Sequence, residues 1–177
     1  LTLTNIFTRS AGDTSADWHS AVDGQGRTFS VLETATGEII GGYNSVSWNS
    51  STPGYGGNSD SFLFSLTNNF KHAHYRYNHY VYNNSSYGPT FGGGHDLYVN
   101  SALTGGYVNL GHNYRCRVGS YGSSTCRNDF GGSYSLDIVA FETFTIAEYT
   151  SSVPEPSPLG MLALALAVVR LKRRAKK

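Results

Sequence analysis

Short runs in which apolar and polar residues alternate, cut by glycine- and asparagine-rich turns, fill most of the first ~150 positions of the chain. That period of two marks half-buried strands. Thr28–Thr34 alternates loosely, and Ala35-Thr36-Gly37-Glu38 supplies a hairpin turn into a partner strand at 39–46. A strand at 61–66 places Phe62, Phe64 and Leu66 on one face. Residues 73–82 read as a tyrosine-rich strand and 96–99 as a short one. The longest strand is 132–146, with Tyr134, Leu136, Ile138, Phe144 and Ile146 in one phase. About seven strands with frequent turns predict a mainly β fold, a two-sheet antiparallel sandwich with one or two short helices. One helix is explicit. Asp13-Thr14-Ser15 offers capping oxygens, Trp18, Ala21 and Val22 share a face over 15–22, and Asp23-Gly24-Gln25-Gly26 ends it.

The pattern changes after residue 150. Residues 158–169 are apolar all round, which predicts a C-terminal hydrophobic helix. At 1.5 Å per residue these positions reach about 18 Å, short of the roughly 20 residues a spanning helix needs. Arg170 and Lys172 extend the usable length by snorkelling. Pro154, Pro156 and Pro158 favour an extended spacer. The expected organisation is a domain at 1–149, a Pro/Ser linker at 150–158 and a terminal segment at 153–177.

Charge follows the same division. Six of the 13 Lys and Arg residues lie in 170–177, leaving seven basic against 12 acidic residues in the remainder. An acidic body argues against a nucleic-acid partner, which calls for a basic stripe. The 21 Gly and 13 Tyr suit strands and tight turns, and the tyrosines also offer a surface for stacking sugars.

Val153-Pro154-Glu155-Pro156, an apolar run and a basic end, in that order, resemble the PEP-CTERM sorting signal of exported bacterial proteins. The resemblance implies export, membrane attachment through 158–171, cutting by an exosortase-type processing enzyme, and a final place at the cell surface or outside the cell. The chain begins with Leu1 rather than Met, so an exported protein of this kind is expected to carry further residues upstream.

The body has its own resemblance. Gly41-Gly42-Tyr43-Asn44-Ser45-Val46-Ser47-Trp48, the strand Asp60-Ser61-Phe62-Leu63-Phe64-Ser65-Leu66, and Gly88-Pro89-Thr90-Phe91-Gly92-Gly93-Gly94-His95-Asp96-Leu97 resemble ordered motifs of the TLDc domain. Trp18-His19 with Asp23-Gly24-Gln25-Gly26, and Glu142-Thr143-Phe144 near the end, are similar to that family's first helix and closing strand. Val22 stands where many relatives carry Cys. The resemblance implies a curved β-sandwich, a link to oxidative-stress protection and, in eukaryotes, to the vacuolar proton pump. Family domains carry more chain before the first strand than residues 1–5 supply, so the N-terminus is expected to be incomplete.

Candidate chemistry is sparse. His95-Asp96 behind Gly92, Gly93 and Gly94 is the sharpest candidate for a small ligand or ion site, since glycines let backbone approach a partner and a histidine titrates beside a carboxylate. A satisfied turn is the simpler alternative. Glu142 is a second candidate, in phase with the apolar face unless a bulge shifts the register. His72 and His74 form a His-x-His pair near His79, but no Cys or neighbouring carboxylate completes a metal shell. No Gly-x-Ser-x-Gly elbow and no phosphate-binding glycine loop before a helix is present. No catalytic residue, metal or cofactor is therefore expected, and the reading leans away from an enzyme. Cys116 and Cys126, the two cysteines of the chain, are expected to pair in an oxidising compartment. The function expected is a non-catalytic, surface-sorted interaction module with a polysaccharide or protein partner. A carbohydrate-binding module of the extracellular matrix and an oxidant-protective or enzymatic activity are the alternatives.

Overall fold

A computed structural model describes residues 1–147. The expected linker, the sorting motif at Val153, Pro154, Glu155 and Pro156, and the hydrophobic helix lie outside the described residues. Asn5–Thr145 forms one compact unit. The described portion of a second unit is Leu1–Thr4 with Ile146 and Ala147, at the start of the first strand and the end of the last.

The elements in order are β1 (Thr2–Thr8), α1 (Ser15–Val22), β2 (Thr28–Thr34), β3 (Ile39–Asn44), β4 (Gly54–Gly56), β5 (Phe62–Ser65), β6 (Phe70–Ala73), β7 (Val81–Asn83), β8 (Leu97–Val99), β9 (Gly105–Val108), α2 (Ser124–Gly131) and β10 (Ser135–Ala147). Eight strands form one antiparallel sheet in the order β6-β5-β3-β2-β10-β9-β8, with β1 also on β10, and β4 and β7 form a separate ribbon. The mainly β, antiparallel expectation holds. The two sheets of the expected sandwich are instead two limbs of one curled sheet, because β10 is long enough to serve both. Its first residues pair with β9 and its later ones with β2.

A bulge between Ile138 and Ala140 turns β10 from one limb to the other. It also corrects the expected phase. Leu136, Ile138 and Phe141 face the core, whereas Phe144 falls on the opposite face beside Phe29, its partner in β2. One further expectation is corrected. Residues 73–82 are no strand: β6 ends at Ala73, β7 begins at Val81, and Tyr77 between them has φ +58°. α2 is the second of the one or two short helices expected, at a place the residue pattern does not mark, because its first turn holds no acidic residue and it follows a run of serines and glycines; Ser123 Oγ caps it by accepting from the Cys126 N–H.

The core lies between the limbs. Leu32, Ile40 and Leu63 from β2, β3 and β5 share one buried cluster with Leu97, Val99 and Val108 from β8 and β9. α1 adds Trp18 and Val22, and α2 adds Phe130. Thr14 Oγ1 and its backbone N–H both donate to the Asp17 carboxylate at 2.8 Å, fixing the start of α1. Trp18 meets Trp48 edge-on at 5.1 Å, and each indole N–H donates at 2.9 Å to a buried threonine hydroxyl, Thr143 and Thr28 respectively. Both indoles are therefore buried without an unsatisfied donor. Gly42 in β3 has no room for a side chain, since a Cβ there would overlap the Phe91 ring. Phe91 is thus clamped onto β3, and it introduces the loop at 92–96.

Candidate functional site

The loop from Gly92 to Asp96 is closed at its base by two backbone bonds between Phe91 and Leu97, 2.8 and 3.3 Å long. Gly92 (φ +82°) donates to the Tyr80 carbonyl at 3.0 Å, and a side chain at this position would overlap the Asp96 carboxylate. Gly93 donates to Asn113 Oδ1 at 2.6 Å. Gly94 (φ +83°) and His95 (φ +59°) then turn the chain so that two adjacent side chains leave in different directions.

Asp96 goes inward and is fully buried. Its Oδ1 accepts from the N–H groups of Gly111 at 2.8 Å and His112 at 2.9 Å, and its Oδ2 from that of Asn113 at 2.9 Å. A weaker bond comes from Tyr114 at 3.3 Å. Burial pushes the carboxyl up to about 6, with the N–H groups of Asn113, Tyr114, His112 and Gly111 pulling it back. Both oxygens of Asp96 accept from the 111–114 backbone, so it anchors that loop, and its burial keeps it from being presented to a ligand. Cys116 and Cys126 are joined as a disulfide, with Cα atoms 5.4 Å apart, which ties the same loop to α2.

His95 goes outward and is partly buried among tyrosines. Its ring lies 5.4 Å from that of Tyr82, 5.9 Å from Tyr87 and 5.8 Å from Tyr98. Burial holds its imidazole below the usual range, opposed by the Gly92 carbonyl, which accepts from the protonated ring. The tyrosines continue as a ridge along the outer side of the limb. Tyr98 and Tyr107 are cross-strand partners with rings 4.9 Å apart, and Tyr107 stacks nearly parallel on Tyr134 at 5.4 Å. Arg127 of α2 lies over Tyr134 at 5.4 Å. In the other direction Tyr82 meets its partner Tyr55 at 5.0 Å, and Tyr55 stacks on His79 at 4.0 Å. Burial and then the neighbouring phenols push Tyr107 up to about 12. Each tyrosine presents an apolar plate with a polar edge.

A match to the TLDc domain family covers residues 5–147. The chain belongs to the TLDc family. No curated protein matches it significantly.

Within this TLDc domain the glycine-rich segment that carries the family resemblance has a structural role, seating Asp96 in the core and presenting His95 on the ridge. The other candidates do not join it. Glu142 sits opposite Val31 on the β2 side of β10, where its Oε1 accepts from Thr8 Oγ1 at 3.2 Å. The histidines of 72–79 have separate partners. His72 is fully buried, with Nδ1 at 2.9 Å from the Arg115 carbonyl, and burial pushes it down to about 4. His74 Nε2 lies 2.6 Å from the Tyr77 carbonyl, and His79 stacks on Tyr55. Among the described residues no group of three or more His, Cys, Asp or Glu could hold a metal ion, and no helix is long and apolar enough to cross a membrane. The ridge itself was only partly foreseeable. Tyr98 alternates with core residues Leu97 and Val99, and Tyr107 precedes core residue Val108, so both read as outward. That they stand side by side depends on the β8–β9 pairing.

Proposed function

We propose that this TLDc domain is a non-catalytic interaction module, exported and sorted to the cell surface by its C-terminal segment, which meets its partner through the tyrosine ridge. The observation that carries this reading is the unbroken series of ring contacts from His79 through His95 to Tyr134. Tyrosine supplies large contact area at low conformational-entropy cost, which is why it is enriched in recognition surfaces. The dispersal of Asp96, His95 and Glu142 over three environments argues against an acid–base site, which needs its groups within hydrogen-bond reach. The chemistry of the ridge, flat neutral rings edged by hydroxyls, favours an extracellular carbohydrate as the partner over a charged one.

Two features support export. The Cys116–Cys126 disulfide fits an oxidising compartment. The order Val153-Pro154-Glu155-Pro156, apolar run, basic end fits a bacterial PEP-CTERM signal held in the membrane through 158–171 and cut by an exosortase-type enzyme. The test has two arms. On a glycan array the full chain should bind a defined set of glycans, and a Tyr98→Ala/Tyr107→Ala pair should lose them; unchanged binding would remove the ridge from the function. In the native host the full chain should be processed and reach the surface, and a chain cut after Ser152 should be released or mislocalised. Retention of the cut chain would overturn the sorting reading.

A further inference from the structure

A second aromatic surface is built on the loop after β6 and the loop that carries Cys116. Tyr75, Tyr77 and Tyr121 are among the most exposed aromatics of the chain, at 40, 55 and 47%. They are not scattered. Tyr77 stacks on His112 at 5.1 Å, and His112 meets Tyr121 edge-on at 5.3 Å. The Arg76 guanidinium lies over Tyr75 at 4.9 Å and over Tyr77 at 5.3 Å, and that of Arg115 over Tyr75 at 5.4 Å. The six side chains form a continuous plate in which cations and rings alternate.

The plate is rigid before any partner arrives. Arg76 donates to the carbonyls of His112, at 2.5 Å, and Gly111, at 2.8 Å, and the Tyr75 hydroxyl donates to that of Gly111 at 2.7 Å. The 111–114 backbone under these contacts is the one held by buried Asp96. Preorganisation lowers the entropy cost of binding.

Its charge is basic. Residues 70–128 carry five of the seven basic residues of the described chain, of which Arg76 and Arg115 lie in the plate, Lys71 over Phe62 and Arg127 over Tyr134 of the ridge. Their one acidic residue, Asp96, is fully buried. Arg117 is neutralised by Asp129, to which its Nε donates at 3.0 Å, whereas Arg76 and Arg115 turn their charge to the tyrosine rings. Residues 1–69, by contrast, hold two basic and six acidic residues.

We infer that this plate is a binding site for an acidic polysaccharide, with the tyrosine rings stacking on sugar faces and Arg76 and Arg115 taking the uronate carboxylates. Guanidinium groups suit carboxylates because their planar fork donates parallel bonds; Arg76, whose Nε and Nη2 already donate to backbone carbonyls, contributes its remaining N–H groups and its charge. Single-stranded nucleic acid also stacks on aromatics in a basic groove. It is the weaker fit, because only two guanidinium groups lie in the plate and the described chain as a whole is acidic. The inference does not depend on the ridge.

The experiment is titration calorimetry of the full chain with three probes: polygalacturonate, a neutral glucan of matched length and a single-stranded oligonucleotide. Polygalacturonate should bind, and more tightly at low salt than at high salt. Arg115→Gln with Tyr121→Ala, both at exposed positions, should weaken it at least tenfold without moving the unfolding temperature. Tyr134→Ala, at the far end of the ridge, should leave it unchanged. Absence of polygalacturonate binding, equal binding of the neutral glucan, tighter binding of the oligonucleotide, or equal loss in Tyr134→Ala would each overturn the inference. The last separates it from a failure of the ridge reading, which Tyr134→Ala touches and Arg115→Gln does not.

Discussion

Each limb of the curled sheet carries a row of aromatic rings on the face turned away from the shared core, mostly phenylalanine on one limb and all tyrosine on the other. On the β2–β3–β5 limb the row is Phe29, Phe62 and Phe64 with Tyr43, ring centroids 4.9–6.0 Å apart, and the three phenylalanines are at most 5% exposed. On the β8–β9 limb the row is Tyr98, Tyr107 and Tyr134 at similar spacings, and Tyr134 is 49% exposed. Cross-strand ring pairs stabilise both. The phenolic oxygen makes the second row tolerable in water, so that it can remain an open surface where the first is used up in packing. One sheet thus buries the aromatic row of one limb and leaves that of the other partly open to water.

The largest expected effect tests the buried row. Phe64→Ala should cost about 3–5 kcal/mol, the usual range for truncating a buried phenylalanine. In urea unfolding the midpoint should fall steeply; a loss below about 1 kcal/mol would mean that this row is no more structural than the other.

Acid separates the limbs next. His72 in β6 sits edge-on to Phe70 and Phe130, and burial depresses it from 6.5 to about 4. The unfolded chain therefore binds the extra proton first, so this group removes stability as pH falls from about 6.5 to 4, by about 3 kcal/mol in all. Asp96 under the tyrosine limb carries the opposite sign. Its folded value of about 6 lies above the unfolded 3.8, so the fold gains from its protonation as pH falls through that window. In the native chain the two offset one another. His72→Gln should expose the Asp96 term, and its stability relative to the native chain should rise by about 3 kcal/mol between pH 7 and pH 4 in denaturant titrations. A constant difference across that range would refute the assignment.

The disulfide is a smaller term. Cys116→Ser with Cys126→Ser should cost roughly 2–3 kcal/mol by loop-closure entropy. Because the bridge ties the 111–117 loop, hydrogen exchange there should quicken more than in β2 or β3. Smallest of all, Tyr107→Ala should cost about 1 kcal/mol or less. A cost as large as that of Phe64→Ala would erase the contrast between the limbs.

Much of this architecture was legible in the residues. Helix 15–22 and strand 28–34 were visible because caps, glycine turns and periodicity agree there. The segment 73–82 misled because tyrosine favours strands, yet Tyr77 adopts φ +58° and its ring is used on the surface plate. α2 was hidden because Ser124-Thr125-Cys126-Arg127-Asn128-Asp129 has weak helix propensity, and a serine cap, the disulfide and buried Phe130 hold it instead. The 92–96 loop stands out in the residues as a candidate ligand loop, with a satisfied turn as the alternative. Alternation alone could not show that Asp96 turns inward, since His95 has positive φ and the bonds to 111–114 come from 15 or more residues away. The bulge at 138–140 likewise leaves no local mark, and it reverses which residues of β10 face the core.

β10 gives the domain a mechanical property. It lies inside the sheet, antiparallel to β2 over one half and to β9 over the other, and the chain continues from its far end. A pull on that end runs along the strand, so the bonds to β2 are loaded together, in shear, and cannot open singly like a zipper. A domain pulled by its C-terminal side would bear tension across the β10–β2 seam, while β8 and the β4–β7 ribbon, with their tyrosines, stayed off the line of force.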